Sequence, residues 1–401
     1  MECVMIDAFM VTLAVFSLFV VIIVYGGLIY LLKALFVLWR LIGGRPYAIS
    51  WDDIPTEKLP TFTIFIPARN EEGRIIERLN NLLSCDYPVE KIEIIVASDG
   101  STDRTAEDAA DWFQKNPAFS GQVKIFEENV GRAFAQNWAA GVAKGDIFLN
   151  TDVETRFEPN TLQEIAKPFQ DAEIGAVGVQ TIYRVLDSQG IGDMYASYRS
   201  MEYALRTIET KMGLCAKSDG PCTAVRTNLW TPIALFEDID YAVPLMVKKA
   251  NKRLVYNPQA IAYDVANSSA SQEFKQRSRM TIRQLTSFAY HWNIGLSLKF
   301  PAFTFVFVCH KILRMISPFF ILCLSLPYFW FGYRIGHLAE FVVVPALLLF
   351  VLIMLSLALK PCARIVGILK SLIIANLAFA DGTIKAISGR KVQGYNPTRK
   401  I

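Results

Sequence analysis

The chain has 401 residues, 53% of them apolar and 19% charged, with 41 Lys and Arg against 37 Asp and Glu for a net charge of +4. So many charges beside so much apolar sequence combine a soluble body with long membrane-type segments, and the small net charge gives no footing for a nucleic-acid partner. The seven cysteines (Cys3, Cys85, Cys215, Cys222, Cys309, Cys323, Cys362) form no CxxC pair and are odd in number, which excludes a disulfide framework or a cysteine zinc site. The three histidines, His291, His310 and His337, all lie at or beyond the start of the C-terminal apolar region, so a His-based metal site or triad in the globular part is excluded by their position in the chain.

Residues 8–32 carry no charge and are long enough to cross a bilayer core of roughly 30 Å. Acidic Glu2 and Asp7 precede them, opposite to a signal peptide's basic start, so an uncleaved anchor is expected. Lys33, Arg40 and Arg45 follow and predict a cytoplasmic body at an inner membrane. Residues 61–66 read as a strand ending in the polar turn Pro67-Ala68-Arg69-Asn70-Glu71, and residues 73–83 as a helix. A second strand over 91–98 ends in Asp99-Gly100-Ser101-Thr102-Asp103. A third over 122–127 leads to Asn129-Val130-Gly131-Arg132 and a helix to 143. The fourth, 146–151, delivers Asp152 and Glu154 to its C-terminal end, where open α/β sheets bind ligands and where two carboxylates can share Mg²⁺ or Mn²⁺ with a diphosphate. Strands alternating with helices imply a mixed, mostly parallel sheet whose polar strand ends converge on one crevice.

Helices are expected over 160–169 and 190–212, and strands over 175–184 and within 220–226. Glu237, Asp238 and Asp240 open a helix running to 250, where plain N-terminal capping competes with a chemical role. From 271 to about 290 a basic helix carries Gln276-Arg277-Ser278-Arg279-Met280, and residues 299–314 mix aromatics with Lys311 and Arg314 as in an interfacial helix. Residues 315–333 and 341–359 are charge-free and of spanning length. Residues 365–380, interrupted by Lys370, read as a shorter interfacial segment, giving three spans and a basic inner tail. The expected division is an anchor over 1–45, a catalytic body over 46–290, interfacial and membrane helices over 291–384 and a tail over 385–401.

In this order the segments resemble the membrane-embedded family 2 glycosyltransferases, the group of cellulose, hyaluronan, chitin and poly-N-acetylglucosamine synthases. The family's Pro-x-x-Asn-Glu stands here as Pro67 to Glu71, its Asp-Asp-Gly-Ser-x-Asp as Ser98 to Asp103 without the first acid, its Asn-x-Gly-Lys as Asn129 to Arg132, its Asp-x-Asp as Asp152 to Glu154, its Glu-Asp as Glu237-Asp238 and its Gln-x-x-Arg-Trp as Gln276 to Met280. The resemblance implies a GT-A fold and transfer of a sugar from a nucleotide donor, a UDP-sugar, with inversion. It assigns donor binding to Pro67, Ala68, Asn70, Glu71, Asp99, Arg132, Asp152, Gln276 and Arg279, and Mn²⁺ or Mg²⁺ to Asp152 and Glu154. It makes Asp238 the general base beside Glu237, and it brings Thr398 and Arg399 of the tail over the diphosphate. Glu154 replaces an Asp, Arg132 a Lys and Met280 a sugar-stacking Trp, which leaves processive polymerisation unsupported at that position.

The leading expectation is synthesis of a cell-surface polysaccharide with a carbohydrate acceptor. Export between its own helices would be helped by a second copy or a partner. A second expectation is transfer of one sugar to a lipid acceptor; a third, of another class, is a catalytically silent nucleotide-sugar-binding scaffold of a synthase complex.

Overall fold

The computed structural model describes residues 2–184, 191–265, 270–356 and 359–392. Two helices, α1 (Glu2–Ile22) and α2 (Leu28–Leu41), open the chain, with a bend between them where Gly26 takes φ +146°. An α/β body follows: β1 (Phe62–Ala68), α3 (Arg74–Leu83), β2 (Ile92–Asp99), α4 (Thr105–Lys115), β3 (Ser120–Phe126), α5 (Arg132–Val142), β4 (Ile147–Thr151), β5 (Arg156–Phe157), α6 (Thr161–Ala166) and β6 (Ile174–Arg184). Next come α7 (Ile191–Lys211), β7 (Cys222–Arg226), α8 (Ile239–Lys249), β8 (Arg253–Val265) and α9 (Ala270–Tyr290). The chain continues through α10 (Trp292–Gly295), α11 (Pro301–Phe307), α12 (Leu313–Arg334), α13 (Leu338–Ser356) and α14 (Lys360–Ile387).

The eight strands form one sheet in the order β3, β2, β1, β4, β7, β6, β8, β5. Four of its seven ladders are parallel and three antiparallel, the mixed α/β sheet expected from the alternation of elements. β2 and β4 are buried along their whole length, which requires helices on both faces. Side chains alternate between those faces. Phe62, Ile64 and Ile66 join Ile75 and Leu79 of α3 in one layer, while Phe65, Ile95 and Phe148 meet Ala135 and Ala139 of α5 in the other. Each fully buried Ile or Phe contributes about 1.5–3 kcal/mol relative to exposure.

Register decides where the polar ends meet. Ala68 pairs with Ser98, and Phe65 with Asn150, so Pro67, Asp99 and Asp152 emerge on the same edge of the sheet. β3 is the exception among the four strand ends expected to converge. It is the outer strand, and only the loop after it returns to the edge, carrying Arg132. β8 was not legible in the sequence, because Pro258 interrupts it. Its pairing with β6 jumps from Asn257 to Ile261 there, as a residue without an N–H demands.

Among the described residues four helical stretches are long and apolar enough to cross a membrane: Val4–Leu41, Pro301–Arg334, Leu338–Ser356 and Ile365–Ile387. The last differs from the short interfacial segment expected, since Lys370 lies inside one continuous helix of 28 residues, α14. α1 and α12 run antiparallel, with Asp7 accepting hydrogen bonds from Trp330 and Arg334 at one end and the Tyr25 hydroxyl 3.1 Å from that of Ser317 at the other. The end of α14 packs on α9 at van der Waals limits. A Cβ on Gly382 would stand 2.6 Å from the Ser278 carbonyl oxygen, and Ser278 donates to Asp381 at 2.5 Å.

Lys311 and Arg314 do not face the membrane interface as expected. Lys311 is buried and donates to the Asp240 carbonyl, and Arg314 pairs with Glu202 at 3.1 Å. His310, although it lies in the C-terminal apolar region of the sequence, packs into the globular part because the chain folds back. His310 lies fully buried against α7, 2.6 Å from Glu209 and 2.8 Å from Glu202. Glu202 also meets Lys217 at 2.6 Å, and Arg206 reaches Asp219 at 2.7 Å. Burial opposes charge on Glu202, yet Lys217, His310 and Arg314 outweigh it and hold its carboxyl well below the usual carboxylate range. A depressed carboxyl contributes stability above its ordinary range and loses it only in strong acid. Replacing His310 with Ala leaves two buried carboxylates without their shared partner; the expected cost is about 3–5 kcal/mol, read as a lowered unfolding midpoint in detergent.

Candidate active site

The strand ends open into a cavity of about 340 Å³. Pro67, Ala68, Glu71, Asp99, Arg132, Asp152, Glu154, Asp238, Gln276, Arg279 and Met280 all line it, so most of the residues singled out in the sequence share one chamber. Asn70 does not. It takes the left-handed φ of +54° that Asn tolerates, and its Oδ1 accepts from Thr102 N at 2.9 Å, which ties the first polar turn to the second. Asp103 completes that tie by accepting from Glu72 N at 3.1 Å. Thr398 and Arg399 lie outside the described residues, but Lys391, leading to them, sits 5.2 Å from the Phe236 ring beside Glu237 and Asp238.

Asp99 is the hinge of the donor-side wall. Its Oδ1 accepts from Val130 N at 2.7 Å and its Oδ2 from Gly131 N at 3.1 Å. Burial pushes its carboxyl up, and those two backbone donors oppose the rise. The neighbouring Gly100 holds φ +62° with Asn129 N only 2.8 Å from where a Cβ would stand, so nothing larger lets the two loops close. Burial likewise raises Glu71, against the nearby Arg74.

Asp152 follows β4, its N–H bonded to the Pro221 carbonyl at 3.2 Å and its Oδ1 2.5 Å from Arg132 Nη2. Glu154 lies 3.8 Å from Arg74. Among the described residues no cluster of three or more His, Cys, Asp or Glu could hold an ion by itself. Two hard carboxylate donors facing one chamber instead fit an ion whose shell is completed by phosphate oxygens and water, the usual arrangement for Mg²⁺ beside nucleotides.

On the opposite wall Asp238 is the N-cap residue of α8, yet its carboxylate makes no capping bond. Its backbone carbonyl accepts from Tyr241 and Ala242 instead, while Oδ1 lies 3.0 Å from Nε of the buried Arg283. Oδ2 has no protein hydrogen bond among the described residues. Capping therefore does not explain Asp238. Glu237, expected beside it as catalytic, is corrected to a structural part: it is buried outside the cavity, with Oε2 accepting from Ala234 N at 2.7 Å and Oε1 2.7 Å from His291.

Sequence reading missed Arg283, Lys217, Asp219 and Asp264, all in the cavity wall. Arg283 had a signal, since Gln276, Met280 and Arg283 fall at helical spacing on one face of α9. Lys217, Asp219 and Asp264 had none, because only tertiary pairing brings them in. Asp99→Asn would set an amide N–H against a backbone N–H at one of its two bonds. Donor affinity is expected to fall by roughly 10- to 100-fold, the equivalent of about 1.5–3 kcal/mol, measured by nucleotide-dependent thermal stabilisation.

Residues 63–229 match the family model described as Glycosyl transferase family 2, and residues 147–359, more than half of the chain, that described as Glycosyl transferase family group 2. An N-acetylglucosaminyltransferase of Rhizobium meliloti is 27% identical over 58% of this chain and 57% of its own length. A poly-beta-1,6-N-acetyl-D-glucosamine synthase of Staphylococcus aureus is 26% identical over 57% of this chain and 55% of its own. The chain thus spans little more than half the length of these curated relatives. A mannosyltransferase from Pyrobaculum calidifontis, solved with GDP-Man and Mn²⁺, superimposes with a TM-score of 0.70 at 20% identity, over 96% of this chain and 99% of that one. It has the same fold.

Proposed function

The chain belongs to glycosyl transferase family group 2, and we propose on that premise that it is an inverting membrane glycosyltransferase using a UDP-sugar to extend a surface polysaccharide. The observation that carries the reading is the opposition of two acidic groups across one cavity: Asp152 and Glu154 on the sheet edge, and Asp238 with Oδ2 uncommitted on the far wall. The names of the curated relatives support N-acetylglucosamine as the sugar.

Asp99 and the Pro67 to Glu71 turn take the nucleoside, with lone pairs on Asp99 still available after its two backbone bonds. Arg132, Gln276 and Arg279 face the diphosphate, where a guanidinium serves as a forked donor. Asp152 and Glu154 would hold Mn²⁺ or Mg²⁺, which when bound supplies neutralising charge beside the leaving diphosphate. Asp238 Oδ2 accepts the acceptor hydroxyl's proton as that oxygen bonds to C1 of the sugar. The C1–O bond to phosphate breaks and its electron pair leaves on UDP. Attack from the face opposite the leaving group inverts C1, and one base suffices.

A lipid-borne acceptor is the second reading. It is favoured by Phe379 of α14 and Arg314 of α12, which line the cavity from helices of membrane-spanning character, and by Met280 where a stacking aromatic would grip a polymer. On either reading the catalytic body works at the inner face of the plasma membrane, and polymer export would need a second copy or a partner protein.

Membranes given labelled UDP-N-acetylglucosamine and Mn²⁺ are expected to form long polymer; a single-sugar lipid product selects the second reading, and no product with any of UDP-glucose, UDP-N-acetylglucosamine, UDP-glucuronate or GDP-mannose rejects both. Asp238→Asn is expected to slow transfer about 10²- to 10⁴-fold while UDP still raises the unfolding temperature; joint loss of transfer and UDP binding would assign Asp238 to structure.

A further inference from the structure

We propose that Arg283 is the positioning residue of this reaction: it orients Asp238 and sets a positive charge against its carboxylate for proton abstraction. The inference rests on the reading of Asp238 as general base and adds the group that makes it one.

Arg283 projects from α9 with its side chain only 5% exposed, and its guanidinium touches two successive residues of the loop before α8. Nε lies 3.0 Å from Asp238 Oδ1, and Nη2 donates to the Glu237 backbone carbonyl. The backbone hydrogen bond to Glu237 and the ion contact with Asp238 together hold the guanidinium against the base. A second grip lies just after α9, where His291 meets the buried Glu237 at 2.7 Å and Glu237 in turn holds Ala234 N. The loop bearing the base is thereby held from α9 at two points.

The charges around Asp238 give Arg283 its electrostatic weight. On α8, the Asp240 carboxyl is pushed up by burial, with Lys311 opposing and Asp238 itself adding repulsion. Lys311 bonds the Asp240 carbonyl from the segment before α12. Lys217 and Asp219 approach the same wall from the loop before β7, both already engaged, with Glu202 and Arg206. Arg283 is the cation in direct contact with Asp238 among the described residues. Removing an adjacent cation raises a carboxylate's pKa by about 1–3 units. A base must be ionised to act, so the acid limb of the rate profile moves to higher pH.

The test compares kcat against pH for the full-length protein in detergent with UDP-sugar, for wild type, Arg283→Gln and Arg283→Lys. Expected for Arg283→Gln is a fall in kcat of at least about tenfold, an unchanged donor KM, and an acid limb displaced upward by about one unit or more. Arg283→Lys is expected to bring the limb most of the way back while kcat stays reduced, because an ammonium restores charge without the two-point grip. An unmoved acid limb in both variants overturns the proposal, as does a loss of kcat and donor binding together in Arg283→Lys. If Arg283→Gln does not fold, the kcat of Arg283→Lys decides: a reduced kcat with donor KM unchanged supports the proposal, and a wild-type kcat overturns it. Asp238→Asn separates the two levels: substantial transfer by that variant sinks the base itself, whereas an inactive Asp238→Asn beside a wild-type profile for Arg283→Gln sinks only the role given to Arg283.

Discussion

The architecture rests on charge pairing inside an acidic chamber. Glu71, Asp99, Asp152, Glu154, Asp219, Asp238, Asp240 and Asp264 all border one space, and their mutual repulsion would spread the walls if each stood alone. The compensating groups come from elements far apart in sequence: Arg74 from α3 for Glu71 and Glu154, Arg132 from α5 for Asp152, Arg206 from α7 for Asp219, Arg283 from α9 for Asp238. The Arg206–Asp219 pair is buried and costly to break, whereas the pairs of Arg74 and Arg132 are partly exposed. They act here as joints, so the chamber closes only when α3, α5, α7 and α9 are all seated.

This arrangement also divides the labour of the carboxylates. Asp99 spends both oxygens on backbone N–H groups and ties two loops of the cavity wall together. Asp238 lines the same cavity with one oxygen that has no protein hydrogen bond among the described residues. Glu237, its neighbour, is buried, with Oε2 accepting from Ala234 N and Oε1 lying 2.7 Å from His291. Adjacent acids of one motif thus serve different ends, decided by which partner each finds.

Much of this was legible in the chain. The largely apolar runs of β1, β2 and β4, each ending in polar residues, announced a covered parallel sheet and the edge where Asp99 and Asp152 emerge. Spacing on α9 carried Gln276 and Arg279 to the right wall. What stayed hidden depended on pairing between distant segments. β8 is broken by Pro258, so its periodicity is masked. His310, Lys311 and Arg314 sit in apolar surroundings that read as membrane interface, and only the packing of that segment against α7 turns them inward to Glu202, Glu209 and Asp240. Composition alone cannot separate a cation that seeks lipid phosphate from one that seeks a buried carboxylate.

The bare flank of Gly382 lets α14 lie on the backbone of α9, and three residues earlier Phe379 forms part of the chamber wall. Catalytic body and apolar helices are therefore not detachable modules. A version trimmed before residue 360, in search of something water-soluble, would lose a side of the reaction vessel and uncover the helix that steadies Asp238.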